Sequence, residues 1–399
     1  MATPAVTTRP EGPAVKRRAA ELLADLERAR RETLALVAPL GERDLVRVHS
    51  PIMSPLVWDL GHIAAYEDLW LAHRQGGMAL LRPELADLYD AFETPRAVRG
   101  EIELLGVADA RAYLTAVRER TLATLARAGL GDGFVWEMVL RHELQHSETM
   151  RQTMAIADLL SPDDRAKLNR PMDGPEEMED WVEIPAGPLA MGAGEEVFAY
   201  DNERPRHTVE VPAFAIAHRP VSNASWMRFS EGGGYERREW WSQEGWAWKE
   251  EHDITHHPGV ATGHPGAAVC HVSWFEADAF ARAHDARLPS EMEWEMAATW
   301  TQVPAAGTPG AGRPAAPERA LAAIGRVWEW TQSRFAGYPG FVAFPYREYS
   351  EVFFGEDYRV LRGGSWATSG RVASTTFRNW DLPKRRQIFA GLRLVKATA

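Results

Sequence analysis

The stretch RHELQHSETM, Arg141 to Met150, sets His142 and His146 four residues apart. On a helix that spacing stacks two imidazoles on one face, where both can hold a single metal ion. The same letters spell H-E-x-x-H, in which the histidines bind zinc and the intervening glutamate, here Glu143, serves a peptidase as general base. Three readings are therefore open: an iron site, a zinc site, or a helix that happens to contain histidine. The extended peptidase pattern is not met, because Thr149 and Gln152 stand where it requires Gly and His. An acidic third zinc ligand would have to be Glu176 or Glu177, which lie in a polar stretch rather than on a following helix.

A further histidine, His62, sits in the apolar and aromatic segment SPLVWDLGHIAAYEDLWL. Burying three imidazoles without partners is expensive, and one shared metal satisfies all of them. Imidazole suits Zn, Fe, Cu and Ni alike, so three histidines do not choose the metal.

The elements that must position these residues are helical. Apolar residues recur at three and four spacings through about the first 160 residues. This predicts helices at 14–37, 55–74, 109–128 and 134–160, together a four-helix bundle in which facing helices supply inward-pointing ligands. We expect a flexible tail at 1–13, the bundle at 14–160, a proline-bearing acidic linker at 161–180 and a second domain at 181–399. In that second domain, short apolar runs such as WVEIPAGPLAMG, HTVEVPAFAI and AVCHVSWF, separated by Gly, Pro and Asn, read as strands and turns. One helix interrupts them, starting at Ser273 with Glu276 three residues on, a capping box. VPAAGTPGAGRPAAPERA reads as a surface loop. Helices followed by strands make the fold class α+β.

Composition narrows the partners. The 399 residues are 45% hydrophobic and 25% charged, as in globular proteins, with a formal net charge of -11. That charge argues against a nucleic-acid groove, which needs clustered cations. No run of about 18 apolar residues and no signal-peptide pattern is present, so no membrane span is expected. The single cysteine, Cys270, rules out an intrachain disulfide and an all-cysteine metal cage, and fits a reducing cytoplasm. Small-molecule substrates are the expected partners. A Trp-rich second domain acting as a binding module without chemistry is the competing class.

WDLGHIAAYEDLWL and RHELQHSETM resemble the DinB-like domain of the ergothioneine-biosynthesis sulfoxide synthases. GGYERREWWSQEGWAWKE, HVSWFEADAFARAHDARLPSEMEWEMAA, VWEWTQS, YRVLRGGSWAT and FRNWDLPKRRQIFAGLRL resemble their formylglycine-generating-enzyme-like, C-type-lectin-like domain. The resemblance implies a non-haem Fe(II) held by His62, His142 and His146, with O2 as co-substrate. It implies an oxidoreductase that joins a thiol, γ-glutamylcysteine or cysteine, to C2 of the hercynine imidazole and leaves a sulfoxide. By the same match Gln145 contacts the imidazole of hercynine, Asn379, Trp380 and Asp381 line the substrate cleft, and Arg96 and Arg99 hold the carboxylates of the thiol. A tyrosine is expected to supply a proton or hydrogen, Tyr346 first and Tyr349 second. The two cysteines that bind copper in formylglycine-generating enzymes have no counterpart. The Ala/Pro-rich stretch before IGRVWEWT departs from the family's pattern and leaves the donor open. A related branch joins hercynine to a selenosugar, making selenoneine, and another joins cysteine to histidine at C5.

Overall fold

The computed structural model describes residues 13–172, 180–300, 321 and 324–397. The tail expected at the N-terminus lies outside them but for Pro13, and the Ala/Pro/Gly-rich stretch, Glu176 and Glu177 lie outside them too. The chain divides into two compact units, Met1–Leu159 and Leu160–Ala399. Among the described residues no helix is long and apolar enough to cross a membrane.

The first unit is helical. Its elements are α1 (Pro13–Val37), the short α2 (Glu42–Val46), α3 (Leu56–Glu67), α4 (Val107–Ala128) and α5 (Phe134–Ile156). Helix α3 is buried at ten of its twelve positions, as expected for a helix that is apolar nearly all round and so must lie in the middle of a bundle. It continues without a break into π-helical turns over Asp68–Gln75. Helix α3 packs on α4 and α5, and α1 packs on α5. The four long helices are those the periodicity predicts, with one shortened: α5 stops at Ile156 rather than 160. There Asp158 takes φ 62° and the Leu159 N–H turns back to the Met154 carbonyl at 2.8 Å, satisfying an end carbonyl that the next turn would have used.

The second unit opens with α6 (Pro162–Leu168), which lies within the stretch read as a linker. Ser161 accepts the Asp164 N–H at 3.2 Å, proline occupies the first turn, and Asp163 and Asp164 face the positive end of the helix. The same polar and proline letters that read as a linker are helix-start signals.

Strands β1 (Trp181–Ile184), β2 (Gly187–Met191), β3 (His207–Val211) and β4 (Phe214–Ala217) follow. Further along come β5 (Trp328–Arg334), β6 (Arg359–Arg362), β7 (Asn379–Asp381), β8 (Ala390–Gly391) and β9 (Val395–Ala397). They form a sheet in the order β1-β4-β9, a β2-β3 pair and a sheet in the order β7-β6-β5-β8. Between β4 and β5 lie α7 (Asn223–Glu231), α8 (Gln243–Glu251), α9 (Trp274–Ala283) and α10 (Glu291–Trp300). The mixture of helix and strand bears out the α+β class. The expected capping box is present at α9: Ser273 Oγ accepts the Glu276 N–H at 3.2 Å and Glu276 Oε2 accepts the Ser273 N–H at 3.0 Å. AVCHVSWF is not a strand. It makes an isolated bridge at Ala268, and His271 at φ 65° breaks the extended run.

Much of the tryptophan content is structural. The indole N–H groups of Trp294, Trp330 and Trp241 are inside and donate to Glu329, to the Val272 carbonyl and to the Gly234 carbonyl at 2.7, 2.8 and 2.8 Å. Buried pairs, Arg362 with Glu295 at 2.6 Å and Arg393 with Glu329 at 2.7 Å, brace the sheet of β5 and β6.

Candidate metal centre

Helices α3 and α5 bring the three histidines together. His142 and His146 share a face of α5, and His62 of α3 points at them, its Nε2 3.0 Å from His142 Nε2. The three imidazoles offer nitrogen atoms that all lie within 4.8 Å of one another. Their ring centroids are 4.5 to 4.8 Å apart. Aromatic walls hold two of the rings: Trp58 stacks on His62 at 4.6 Å, and Tyr66 stacks on His142 at 3.7 Å and 11°.

The outward nitrogens of His62 and His146 are tied. His62 Nδ1 lies 2.6 Å from the Tyr89 carbonyl, which can only accept, so Nδ1 carries the proton and the lone pair sits on Nε2. Gly61 makes this possible, since a Cβ there would come within 2.2 Å of the Tyr89 ring. His146 Nδ1 lies 2.9 Å from Asp59 Oδ1. Burial, reinforced by the neighbouring imidazoles, holds His62 and His142 well below the usual imidazole value, so both are neutral near pH 7. Neutral imidazole is the form that binds metal. Such a donor set fits one divalent ion of borderline softness and leaves coordination positions open for other molecules.

Glu143 does not belong to this centre. It is 1% exposed and ion-paired with Arg30 at 2.8 Å and Arg118 at 3.4 Å, while Glu67 pairs with the same arginines at 2.7 and 2.8 Å. A carboxylate held between two guanidinium groups is not placed to take a proton from a metal-bound water. This removes the peptidase reading of HELQH.

The other expected site residues divide. Gln145 lies half-buried on α5 between His142 and His146. Arg96 is exposed, but Arg99 is 4% exposed and does not pair with it as an open clamp. Its guanidinium donates to the Thr94 carbonyl at 2.8 Å, Ser54 Oγ at 2.7 Å and the Ala91 carbonyl at 3.2 Å, and lies 3.4 Å over the Trp58 ring. Burial brings Arg99 down to about 10, against the pull of Asp59. Its donors close the loop before α4, a use that adjacent letters in the sequence do not disclose.

Tyr346, Tyr349 and Trp380 meet in one aromatic patch of the second unit. Tyr349 stacks on Tyr200 at 4.2 Å and lies edge-on to Trp380 at 5.9 Å and to Tyr346 at 6.2 Å. One face of Trp380 is covered by Phe335 at 4.2 Å. On β7, Asn379 Oδ1 accepts the Trp380 N–H, and Asp381 accepts from the Leu382 N–H and Gln387 Nε2. The reading of the letters missed Asp59, Tyr66 and the Tyr89 carbonyl. Asp59 and Tyr66 stand three before and four after His62, the helical spacings that could have flagged them.

Comparison with known proteins agrees with this arrangement. Residues 25–155 match the DinB superfamily, and residues 168–311 and 320–398 match the Sulfatase-modifying factor enzyme 1-like domain. The hercynine oxygenase of Mycolicibacterium smegmatis is 41% identical over 94% of this chain and 99% of its own length. That of Mycobacterium tuberculosis is 41% identical over 94% and 98%. The formylglycine-generating enzyme of Streptomyces coelicolor is 32% identical, over 32% of this chain and 49% of its own. With both domains matched in order and the similarity running almost end to end in both chains, this protein belongs to the hercynine oxygenase family.

Proposed function

We propose that the protein is a mononuclear non-haem Fe(II) oxygenase that uses O2 to join a thiol, γ-glutamylcysteine or cysteine, to C2 of the hercynine imidazole as a sulfoxide. The observation that carries this reading is the convergence of His62, His142 and His146, with the outer nitrogens of His62 and His146 hydrogen-bonded, in a chain of this family. A ferrous ion held by these residues would supply O2 activation and a template for the reacting groups.

The chain's own residues then orient and protonate. Gln145, on the same face region as the ligands, offers an amide to the hercynine imidazole. Arg96, exposed at the start of its turn, is the guanidinium we assign to a donor carboxylate, because Arg99 is committed to carbonyls and Ser54. Trp380, with Asn379 and Asp381 beside it, offers an aromatic surface to the trimethylammonium group. The proton comes from a tyrosine hydroxyl. We assign that role to Tyr346 first and Tyr349 second; the two rings lie edge-on to each other at 6.2 Å, and Tyr349 stacks on Tyr200.

Oxygen uptake and product mass, measured with hercynine plus each donor in turn, test the reading. We expect uptake coupled to sulfoxide with a thiol donor. Turnover only with a selenosugar would instead assign the selenoneine branch, and no response to hercynine would sink the substrate assignment. Tyr346→Phe should lower sulfoxide formation by about 10²-fold while hercynine binding is retained, as for loss of a general acid. Tyr349→Phe should stay within about tenfold of wild type; the reverse order would exchange the two assignments.

A further inference from the structure

Asp59 is 1% exposed and stands on α3 one turn before His62. Its Oδ1 meets His146 Nδ1 on the facing helix at 2.9 Å, while its Oδ2 is buried without a hydrogen-bond partner. A half-satisfied carboxylate in a bundle core is destabilising relative to an apolar residue of similar size, so packing does not account for it. The three imidazoles are held from outside in different ways: His62 by a neutral carbonyl, His142 by the Tyr66 ring, and His146 by a carboxylate.

We propose that Asp59 is the positioning residue of the triad. By accepting the Nδ1 proton of His146 it selects the tautomer that leaves the Nε2 lone pair available beside His62 and His142, and it makes that nitrogen the most strongly donating of the three toward a divalent metal. The inference rests on the metal reading above and goes beyond it by dividing the ligands into one charge-supported and two neutral-supported imidazoles. Because an ionised carboxylate only accepts, it enforces one tautomer. An amide in its place can donate from Nδ2 to His146 Nδ1, which moves the ring proton to Nε2 and removes the lone pair a metal needs.

The test uses full-length protein with 15N-labelled histidine. Long-range 1H–15N correlation on metal-free protein reads the His146 tautomer, assigned by the signals lost in His146→Asn. Anaerobic competition with a chelator then reads Fe(II) affinity, and the visible spectrum of Co(II)-loaded protein reads ligand-field strength. Wild type should hold His146 as Nδ1–H. Asp59→Asn should shift it toward Nε2–H, alter the Co(II) spectrum and weaken Fe(II) binding roughly 10- to 100-fold, the range for loss of a partner behind a metal ligand. Asp59→Glu should restore part of both. If Asp59→Asn keeps the Nδ1–H tautomer and wild-type Fe(II) affinity, the proposal is overturned. Wild-type protein that takes up no Fe(II) would remove the metal reading instead, and the tautomer comparison on metal-free protein would still decide the role of Asp59.

Discussion

His62→Ala is expected to lose Fe(II) and, with it, hercynine-dependent oxygen uptake, by on the order of 10³-fold or about 4 kcal/mol of barrier. The reason is geometric. His142 and His146 come from one helix and can supply only two adjacent nitrogens, while His62 closes the set from α3, its Nε2 3.0 Å from that of His142. Two imidazoles at i and i+4 remain a weak chelate without the third. The substitution also leaves the Tyr89 carbonyl without its 2.6 Å donor and takes a ring away from Trp58, so a modest loss of stability accompanies it. Metal content by anaerobic titration, read beside circular dichroism, separates the two effects. A folded His62→Ala protein that binds Fe(II) as tightly as wild type would take His62 out of the triad.

The second large effect is expected at the buried charge cluster behind the site. Arg30, Glu67, Arg118 and Glu143 are all under 9% exposed and hold one another across α1, α3, α4 and α5. Glu67→Gln removes one of the two buried negative charges facing two guanidinium groups, with only the more exposed Glu27 also reaching Arg118, at 3.5 Å, and leaves positive charge buried and poorly matched. Breaking such a pair costs about 3–5 kcal/mol, which for a unit of this size lowers the unfolding midpoint by roughly 10 °C. Glu143 follows His142 on α5 and is held by Arg30, so the loss should also loosen the register of α5. Replacing all four residues together by Met and Leu should be far milder than the single change, because it leaves no unpaired charge.

The same cluster has a pH signature. Burial alone would raise the Glu67 carboxyl, but Arg30 and Arg118 outweigh it and bring it down to about 2 from an ordinary 4.5. A carboxyl depressed in the folded state adds stability that is complete above its unfolded value and is lost as pH falls toward the folded one. Wild type should therefore lose stability between about pH 4.5 and about pH 2, and Glu67→Gln should be flatter through that window. Denaturant midpoints of the helical transition, taken at steps across the window, measure this. Parallel curves for the two proteins would show that Glu67 is not the responsible group.

What the letters determined by themselves were the features set by short-range backbone geometry. The four long helices follow from apolar residues at three and four spacings. The pairing of His142 with His146 follows from one turn of helix, and the capping box at Ser273 and Glu276 from three residues of chain. Even the helix at Pro162–Leu168 was written there, in Ser-Pro-Asp-Asp, although the same polar letters also describe a linker.

Only the tertiary structure decided which residues meet across long separations. His62 reaches His142 over 80 positions, Asp59 reaches His146 over 87, and Arg30 reaches Glu143 over 113. A glutamate inside H-E-x-x-H reads as a base until the arginines that hold it are seen. An arginine reads as a substrate clamp until its donors are found on Thr94, Ser54 and Ala91. Local pattern sets which face a side chain occupies, but its partner depends on how helices pack, and the same residue type serves as ligand, brace or anchor according to what that packing places opposite it.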